Sequence, residues 1–542
     1  MDNNEILENE KSEETLQTPL FNLNARDTVF AVCALAVSIF FSLFGAFSGF
    51  AFGYLLSATL MIIVFTAYFL KGGKALFLSV LCGLLSLGNN AIFICTTNGS
   101  VRFFGVIIGL LLSLVCFDGL VNGTAKGNRQ TLGIFYSATS TLGNIAVSLK
   151  SLFTGEKGDK KAIGKVFVGL LCAIPVLIVV VPLLISSDDA FRGMMSNIYD
   201  NTFSYLLKTV FGVVVCPFII SYGFSLKAGR VAKVKESEFK GIENVYLVSF
   251  LSTISACYLL YLFSQLAYFF SAFKGFLPNG EITYAQYARK GFFEMCVIAV
   301  INLIIVFSAL LLAKKKQGKV SHSIKAIATF ISLFTMIIIA TAISKMVLYI
   351  DAYGMTILRI TTSAFMLFLS IVFISVILRI YIQKINIVKT ALITAGSIVL
   401  ILGIFNVNSV CARYNYESYK SGRLDTIDVQ ELYELGYEGI PYIVELTAAE
   451  NPDVAQKAKS YLARAYLYDY FDNMKYVESF TVDDLKTNQK NTGFERFSIP
   501  KSAAYDSLYE YIENNASFGK NCQKYFEDNK QNDYNQHNYY GY

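Results

Sequence analysis

Long apolar runs recur along most of this 542-residue chain. A helix needs about 20 apolar residues to cross a bilayer. Eleven segments meet that requirement: 28–48, 50–70, 75–95, 103–121, 163–186, 203–224, 245–270, 292–313, 327–348, 360–380 and 388–407. Only 16% of the residues are charged, against roughly 25% in soluble proteins. This excludes an ordinary soluble enzyme, a nucleic-acid-binding protein and a disordered chain. The sequence predicts an all-α, polytopic transmembrane helical bundle.

Basic residues are concentrated in alternate loops of this bundle. Residues 28–408 hold 30 Lys/Arg against 12 Asp/Glu, and most of the basic residues lie near 71–74, 126–161, 227–240, 314–319 and 384. Because basic loops stay in the cytoplasm, these loops and the acidic tail 1–27 are predicted to be cytoplasmic. An odd number of crossings places the C-terminal region outside the cell membrane. One helix more or fewer would move it to the other side.

One cytoplasmic connection, residues 128–161, has the pattern of an amphipathic helix. Its apolar residues recur in steps of three, four or seven from Leu132 to Phe153, which keeps them on one helical face. A basic run follows, as is typical of a helix lying on the inner leaflet. Packing of the same face against the bundle is an equally good interpretation.

The composition changes after residue 408. Nineteen of the 34 tyrosines lie in the last 134 residues, which hold 14 Lys/Arg against 21 Asp/Glu. Residues 409–520 are predicted to be a small helical extracytoplasmic domain, with one helix opening at Asn451-Pro452 and another at Pro500. Cys411 and Cys522 are candidates for a disulfide there. Residues 521–542 are polar and predicted to be a disordered tail.

Polar residues within or beside the apolar runs are the candidate site residues. Lys208, Lys345 and Asp118 lie near run ends, where snorkelling explains them. Gln265 and Asn302 lie deeper, where bonds between helices compete with a ligand-binding role. With two histidines in the whole chain, neither a histidine metal site nor a Ser-His-Asp triad is predicted. No cofactor and no catalytic residue are assigned.

Two segments on the outer side carry further candidates. The first, residues 186–192, contains Asp188, Asp189 and Arg192. The two adjacent carboxylates either cap an interfacial helix, bind a cation or pair with Arg192. The second, residues 281–294, contains the remaining candidates: Tyr284, Tyr287, Arg289, Lys290 and Glu294. It is either an interfacial tyrosine belt with basic anchors or a charged cluster facing an outward cavity.

Four motifs carry a resemblance to a known family. Residues 187–191 (SDDAF) resemble an S-A-D-P-x-F pattern, and residues 283–294 (TYAQYARKGFFE) resemble T-Y-A-E-Y-A-R-R-G-F-F-E. Residues 428–441 and 494–503 resemble two later elements of the same family. With these motifs the chain resembles the DUF4153/DUF4173-type family of bacterial polytopic membrane proteins over roughly residues 30–512. The resemblance implies the membrane fold and no specific chemistry.

Three functions remain open from the sequence. The preferred one is an envelope sensor or scaffold whose outer face binds a ligand, with a protein partner at the C-terminal helical domain. The alternative is a secondary transporter or channel for a small solute. An envelope-modifying transferase using Asp188, Asp189 or Glu294 as a base has the least support, so an enzymatic role is not favoured. The expected surroundings are the lipid bilayer, with no nucleic acid.

Overall fold

The computed structural model describes residues 20–47, 51–70, 77–123, 128–153, 180, 183, 187, 204–231, 241–274, 292–314, 320–382, 384–465, 494–515, 517–518, 521–522 and 524–525. These residues are predominantly helical and form no β-strand, apart from one isolated bridge between Ile242 and Ala313. The fold is therefore the all-α, polytopic helical bundle that the apolar runs predict.

Seventeen α-helices of six residues or more are described. Those of the membrane region are α1 Ala25–Phe40, α2 Phe52–Phe69, α3 Phe77–Cys95, α4 Gly99–Asn122, α5 Asn128–Ser140, α6 Ile145–Phe153, α7 Ser204–Lys227, α8 Asn244–Lys274, α9 Phe292–Leu312, α10 His322–Tyr353, α11 Ile357–Tyr381 and α12 Ile387–Ile404. Those that follow, here called the C-terminal module, are α13 Val407–Lys420, α14 Val429–Glu434, α15 Ile440–Leu446, α16 Pro452–Arg464 and α17 Ile499–Asn514.

Eleven helical segments of the described chain are long and apolar enough to cross a membrane. Ten of them coincide with predicted runs, the first extended past α1 by a π-helical turn, Phe41–Ala46. The eleventh is Thr131–Leu152, which lies in the segment predicted to be amphipathic. The predicted run 163–186 lies outside the continuously described residues, so the two sets of eleven differ by one member.

The chain divides into two compact units. The first comprises Met1–Gly83, Ser113–Ala125 and Leu132–Val234. Within it, α1 and α7 pack closely because Gly212 has no side chain: a Cβ there would lie 2.7 Å from the Ile39 Cα. Where α1 begins and α7 ends, the buried Asp27 carboxylate forms an ion pair with Lys227 and accepts a 2.6 Å hydrogen bond from the Tyr68 hydroxyl.

In this unit, the second half of segment 131–152 contacts the end of α7. The Thr141 carbonyl accepts a 2.6 Å hydrogen bond from Ser221, and the Asn144 amide donates to the Arg230 carbonyl at 2.9 Å. Further along, the Ser151 hydroxyl accepts a 2.9 Å hydrogen bond from the backbone N–H of Phe21, which precedes α1. Small polar residues thus face the bundle, while Tyr136 and Leu142 are exposed.

The second unit comprises Leu84–Leu112, Lys126–Thr131 and Lys235–Tyr542. Its membrane part is built on α8 to α12, whose buried hydrophobic side chains form two adjoining clusters. Asn302 of α9 is buried between α8 and α10, where its amide accepts from the Tyr258 hydroxyl at 2.5 Å and donates to Thr335 at 2.9 Å. These bonds between helices fit the structural interpretation of this deep polar residue.

The C-terminal module begins at a turn directly after α12. Asn406, in a left-handed conformation (φ 49°), accepts from the Ser409 N–H and starts α13. The predicted boundary at 408/409 therefore falls inside this helix. The two predicted helix starts are confirmed: Asn451 caps α16, with Pro452 as its first residue, and Pro500 lies in the first turn of α17.

The cysteines of the module and its last described residues differ from two expectations. Cys411 and Cys522 are both buried and both free, so they do not form the candidate disulfide. Residues 521–522 and 524–525 are helical, and the Cys522 side chain is 2% exposed. The predicted disorder of the tail therefore does not apply to these four residues.

Candidate functional site

Most of the predicted outer-face site lies outside the described residues, namely Asp188, Asp189, Arg192, Tyr284, Tyr287, Arg289 and Lys290. Gln265 lies within α8, but its side chain is also outside the description. Glu294 lies in the first turn of α9 and is exposed. That these residues form one cluster therefore stays a prediction. The described part of the chain brings together a different set of polar residues.

The first part of this set is the turn at residues 96–98, which joins α3 to α4. Arg102 of α4 reaches back and donates to the carbonyls of Phe93 and Thr96, both at 2.8 Å. Its guanidinium also lies 5.6 Å from the Phe93 ring centroid. The last carbonyls of a helix have no partner within that helix. Arg102 therefore caps α3 and fixes the shape of the turn.

The turn at residues 354–356, which joins α10 to α11, is stabilised by the same device. Arg359 donates to the carbonyls of Tyr353, at 3.0 Å, and Gly354, at 2.5 Å. Its guanidinium stacks 4.1 Å from the Tyr349 ring centroid. Arg102 and Arg359 therefore each cap the helix that precedes them.

The side chain of Asn415, on α13, binds the backbone of the second turn. Its side-chain oxygen accepts from the Met355 N–H at 2.7 Å, and its amide nitrogen donates to the Met355 carbonyl at 2.8 Å. A Cβ at Gly354, where φ is +78°, would lie 2.7 Å from this Asn415 oxygen. A glycine is thus required there both by the backbone conformation and by the close approach of Asn415.

Two other side chains of the module bind the first turn. Asn408 accepts a 2.8 Å hydrogen bond from the Asn98 amide and donates to the Leu435 carbonyl at 2.8 Å. Glu438, only 3% exposed, accepts from the N–H of Thr97 at 2.8 Å and from its hydroxyl at 2.5 Å. Two buried polar side chains of the module are therefore satisfied by a turn more than 300 residues away in sequence.

We call this set of contacts the polar junction: Asn98, Thr97, Met355, Asn408, Asn415 and Glu438. Asn408 and Asn415 are seven residues apart on one face of α13, or about 10 Å along the helix. One contacts the α3–α4 turn and the other the α10–α11 turn. Helix α13 therefore lies across the ends of both hairpins.

The opposite face of α13 lines an open groove of about 590 Å³. Its walls include Arg413, Tyr414, Glu417 and Arg423, and the Arg423 guanidinium lies 6.0 Å from the Tyr414 ring centroid. Arg413, Glu417 and Arg423 are exposed. The groove thus presents two cationic groups and one anionic group to solvent, on the helix whose other face forms the polar junction.

Burial changes the acidity of several groups around α13. It raises the pKa of the Cys411 thiol to about 12, so this thiol stays protonated at neutral pH. Burial also raises the pKa of the Glu431 carboxyl, while the nearby Arg359 guanidinium opposes that rise. The Tyr416 pKa is raised by burial and by the hydrogen bond that its hydroxyl donates to Glu445. The raised pKa values indicate that these groups are packed beneath α13 with little access to water.

The residues of the polar junction were not among the candidates proposed from the sequence, although the sequence pattern marks two of them. Asn408 and Asn415 share a helical face with the apolar Cys411 and Ala412, and all four are buried. An asparagine on an otherwise apolar face requires a hydrogen-bond partner. Glu438 lies between the two halves of the family-like motif at 428–441, where it resembles an ordinary surface acid.

Comparison with known proteins supplies the family and no activity. No curated protein and no solved structure matches the chain. The profile of a domain of unknown function, DUF4153, matches residues 16–446, which include the membrane helices and the module as far as α15. Because this match covers most of the 542 residues, this multi-pass membrane protein belongs to the DUF4153 family.

Proposed function

We propose that this protein is a sensor or scaffold of the cell envelope. In this proposal, a ligand or partner binds the outer face of the C-terminal module, and the polar junction passes the resulting displacement to the membrane helices. The observation that carries the proposal is the position of α13. One of its faces is hydrogen-bonded to two helical hairpins, and the other lines the groove.

The same contacts, together with the charge pattern, support one side of the membrane for the module. The turns 96–98 and 354–356 contain no lysine or arginine, whereas the basic loops of the chain are those at the opposite helix ends. The positive-inside rule therefore favours the outer side for both turns and for the module bound to them. Binding of an extracytoplasmic ligand or partner is consistent with this orientation.

A secondary transporter or channel is the alternative, and it would need polar groups available to a solute at membrane depth. Asn302, the deep polar residue of α9, is instead engaged by Tyr258 and Thr335. This engagement favours sensing or scaffolding over transport.

Complementation of a strain that lacks the gene tests the proposal. The double variant N408A/N415A should fail to complement even when its amount in the membrane is matched to that of the wild type through the expression level, because the module no longer acts on the hairpins. A matched control is N514A, at an exposed position of α17, which should complement fully. Complementation by the double variant, or by a chain truncated after Asn406, would contradict the proposal and favour an activity of the membrane helices alone.

A further inference from the structure

Three large apolar side chains are exposed together where α17 begins. Phe494, Phe497 and Ile499 are 53%, 49% and 54% exposed, and we call them the apolar wedge. Ser498 and Pro500, which alternate with them, are buried. The segment is therefore held against the module by one set of side chains while it presents the other outward.

The wedge lies close to the end of two membrane helices. Helix α17 packs against the 3-10 turn Gly436–Glu438, and the Lys501 ammonium lies 5.7 Å from the ring centroid of Tyr437 in that turn. The next residue of the turn, Glu438, is bonded to Thr97 at the end of the α3–α4 hairpin. Ile499 is two residues from Lys501, which is at most about 7 Å of chain.

The composition of the segment is suited to a lipid surface. Exposed apolar residues that cluster on a folded surface mark an interaction site. Glu495 and Arg496 lie between the two phenylalanines, Arg496 is exposed, and Lys501 follows the wedge. Apolar side chains flanked by basic ones are typical of segments that enter the boundary between headgroups and acyl chains, where the basic groups meet phosphates.

We propose that the apolar wedge inserts into the outer surface of the lipid bilayer beside the α3–α4 hairpin. Lipid is the occupant favoured by position, because the wedge is connected through Tyr437 and Glu438 to a turn between two spanning helices. The C-terminal module would then be attached in two ways, to the helical hairpins through the polar junction and to the lipid bilayer through the apolar wedge. This proposal is independent of the sensor function and concerns a different face of the module.

The chain contains no tryptophan, so a single introduced tryptophan reports its own surroundings. The full chain carrying F497W, or F494W as a second variant, is reconstituted into phosphatidylcholine vesicles with and without bromine on the acyl chains near the headgroup. We expect blue-shifted emission that brominated lipid quenches and that aqueous iodide does not. The positive control is F103W, at an exposed position in the first turns of the spanning helix α4.

The negative control is Y505W, at a buried position of the module on α17 itself, which both quenchers should affect weakly. Two results would overturn the proposal. In the first, iodide quenches both wedge variants and brominated lipid does not, so the wedge faces water. In the second, neither reagent quenches them and the protein is a dimer, so a second copy covers the wedge. Loss of complementation by N408A/N415A is expected in either case, so the sensor proposal is tested separately.

Discussion

At the scale of single residues, Asn415 makes the most demanding contact of the polar junction, because it uses both of its polar atoms on Met355. N415D keeps the shape but replaces the amide donor with an oxygen, which leaves the Met355 carbonyl without its bond. We expect a loss of about 1–3 kcal/mol in the free energy of unfolding. Thermal unfolding in detergent, followed by circular dichroism, measures it.

The matched change N514D tests whether the loss belongs to the junction. Asn514 is exposed at the end of α17, so the same chemical change there should leave the melting temperature nearly unaltered. Equal shifts for N415D and N514D would contradict the importance assigned to the contact with Met355.

Glu431 gives the module a pH dependence of defined sign. Its pKa is raised in the folded protein, mainly by burial, so the folded state binds its proton more tightly than the unfolded state does. Stability from this group therefore rises as pH falls through the raised pKa, and at neutral pH the ionised carboxylate is unfavourable. We expect E431Q to raise the melting temperature at pH 7.

The advantage of E431Q should shrink as the pH is lowered toward the ordinary range of a glutamate, because the wild-type carboxyl is then protonated too. Melting temperatures of both proteins across this range measure the difference. E434Q, at an exposed position in the same helix, is the control and should show little change. A constant or growing advantage of E431Q at low pH would contradict the assigned direction.

The same scale shows where sequence reasoning ends. Arg102 and Arg359, in the first turns of α4 and α11, have as partners carbonyls that lie five to nine residues earlier in the chain. Glu438 and Asn408 bind residues more than 300 positions away. Residue type and local spacing predict that a buried polar group needs a partner, but only the packing of helices decides which one.

At the scale of helices, the close packing of α1 against α7 depends on a glycine, Gly212. G212A would place a Cβ 2.7 Å from the Ile39 Cα and 2.8 Å from the Ser38 carbonyl oxygen, both backbone atoms. Overpacking of this kind costs about 1–3 kcal/mol, offset in part by the better helix propensity of alanine. We expect a lower melting temperature and less protein in the membrane.

G99A is the control for this change. Gly99 is the first residue of α4, and a Cβ there would meet nothing within 4 Å. It should leave stability unchanged or slightly improved. If G212A proves as harmless as G99A, the close crossing of α1 and α7 is not what the structure indicates.

The helices themselves were largely predictable, because length and apolar content are local properties. Ten predicted runs are spanning helices by these criteria, and Asn451-Pro452 correctly marks the start of α16. The segment 131–152 shows the limit of this approach. Its hydropathy is sufficient for a crossing, yet Thr141, Asn144 and Ser151 contact the end of α7 and the start of α1.

At the scale of the whole molecule, these contacts lead to a prediction of topology. The eleven helical residues from Thr141 to Ser151 extend about 15 Å but remain at one end of the first unit. We therefore expect segment 131–152 to stay on one side of the bilayer. Epitope tags inserted after Gly123 and after Phe153 should both be protected in intact spheroplasts, whereas a tag at the C-terminus should be accessible.

Permeabilised cells provide the control, since all three tags should then be detected. Accessibility of only one of the two inserted tags would make segment 131–152 a crossing. Protection of the C-terminal tag in intact cells would place the module in the cytoplasm and contradict the side proposed for it. The charge pattern favours the outer side for the two turns, and the polar junction attaches the module to those turns, so this experiment tests both steps.

The module recognises the hairpins largely through their main chain. Asn415 forms hydrogen bonds only with the N–H and carbonyl of Met355, and Glu438 accepts one of its two hydrogen bonds from the N–H of Thr97. Every amino acid except proline offers those same groups. Relatives of this protein are therefore free to change position 355 during evolution without losing the attachment, whereas position 354, which must remain small, and position 415 should vary far less.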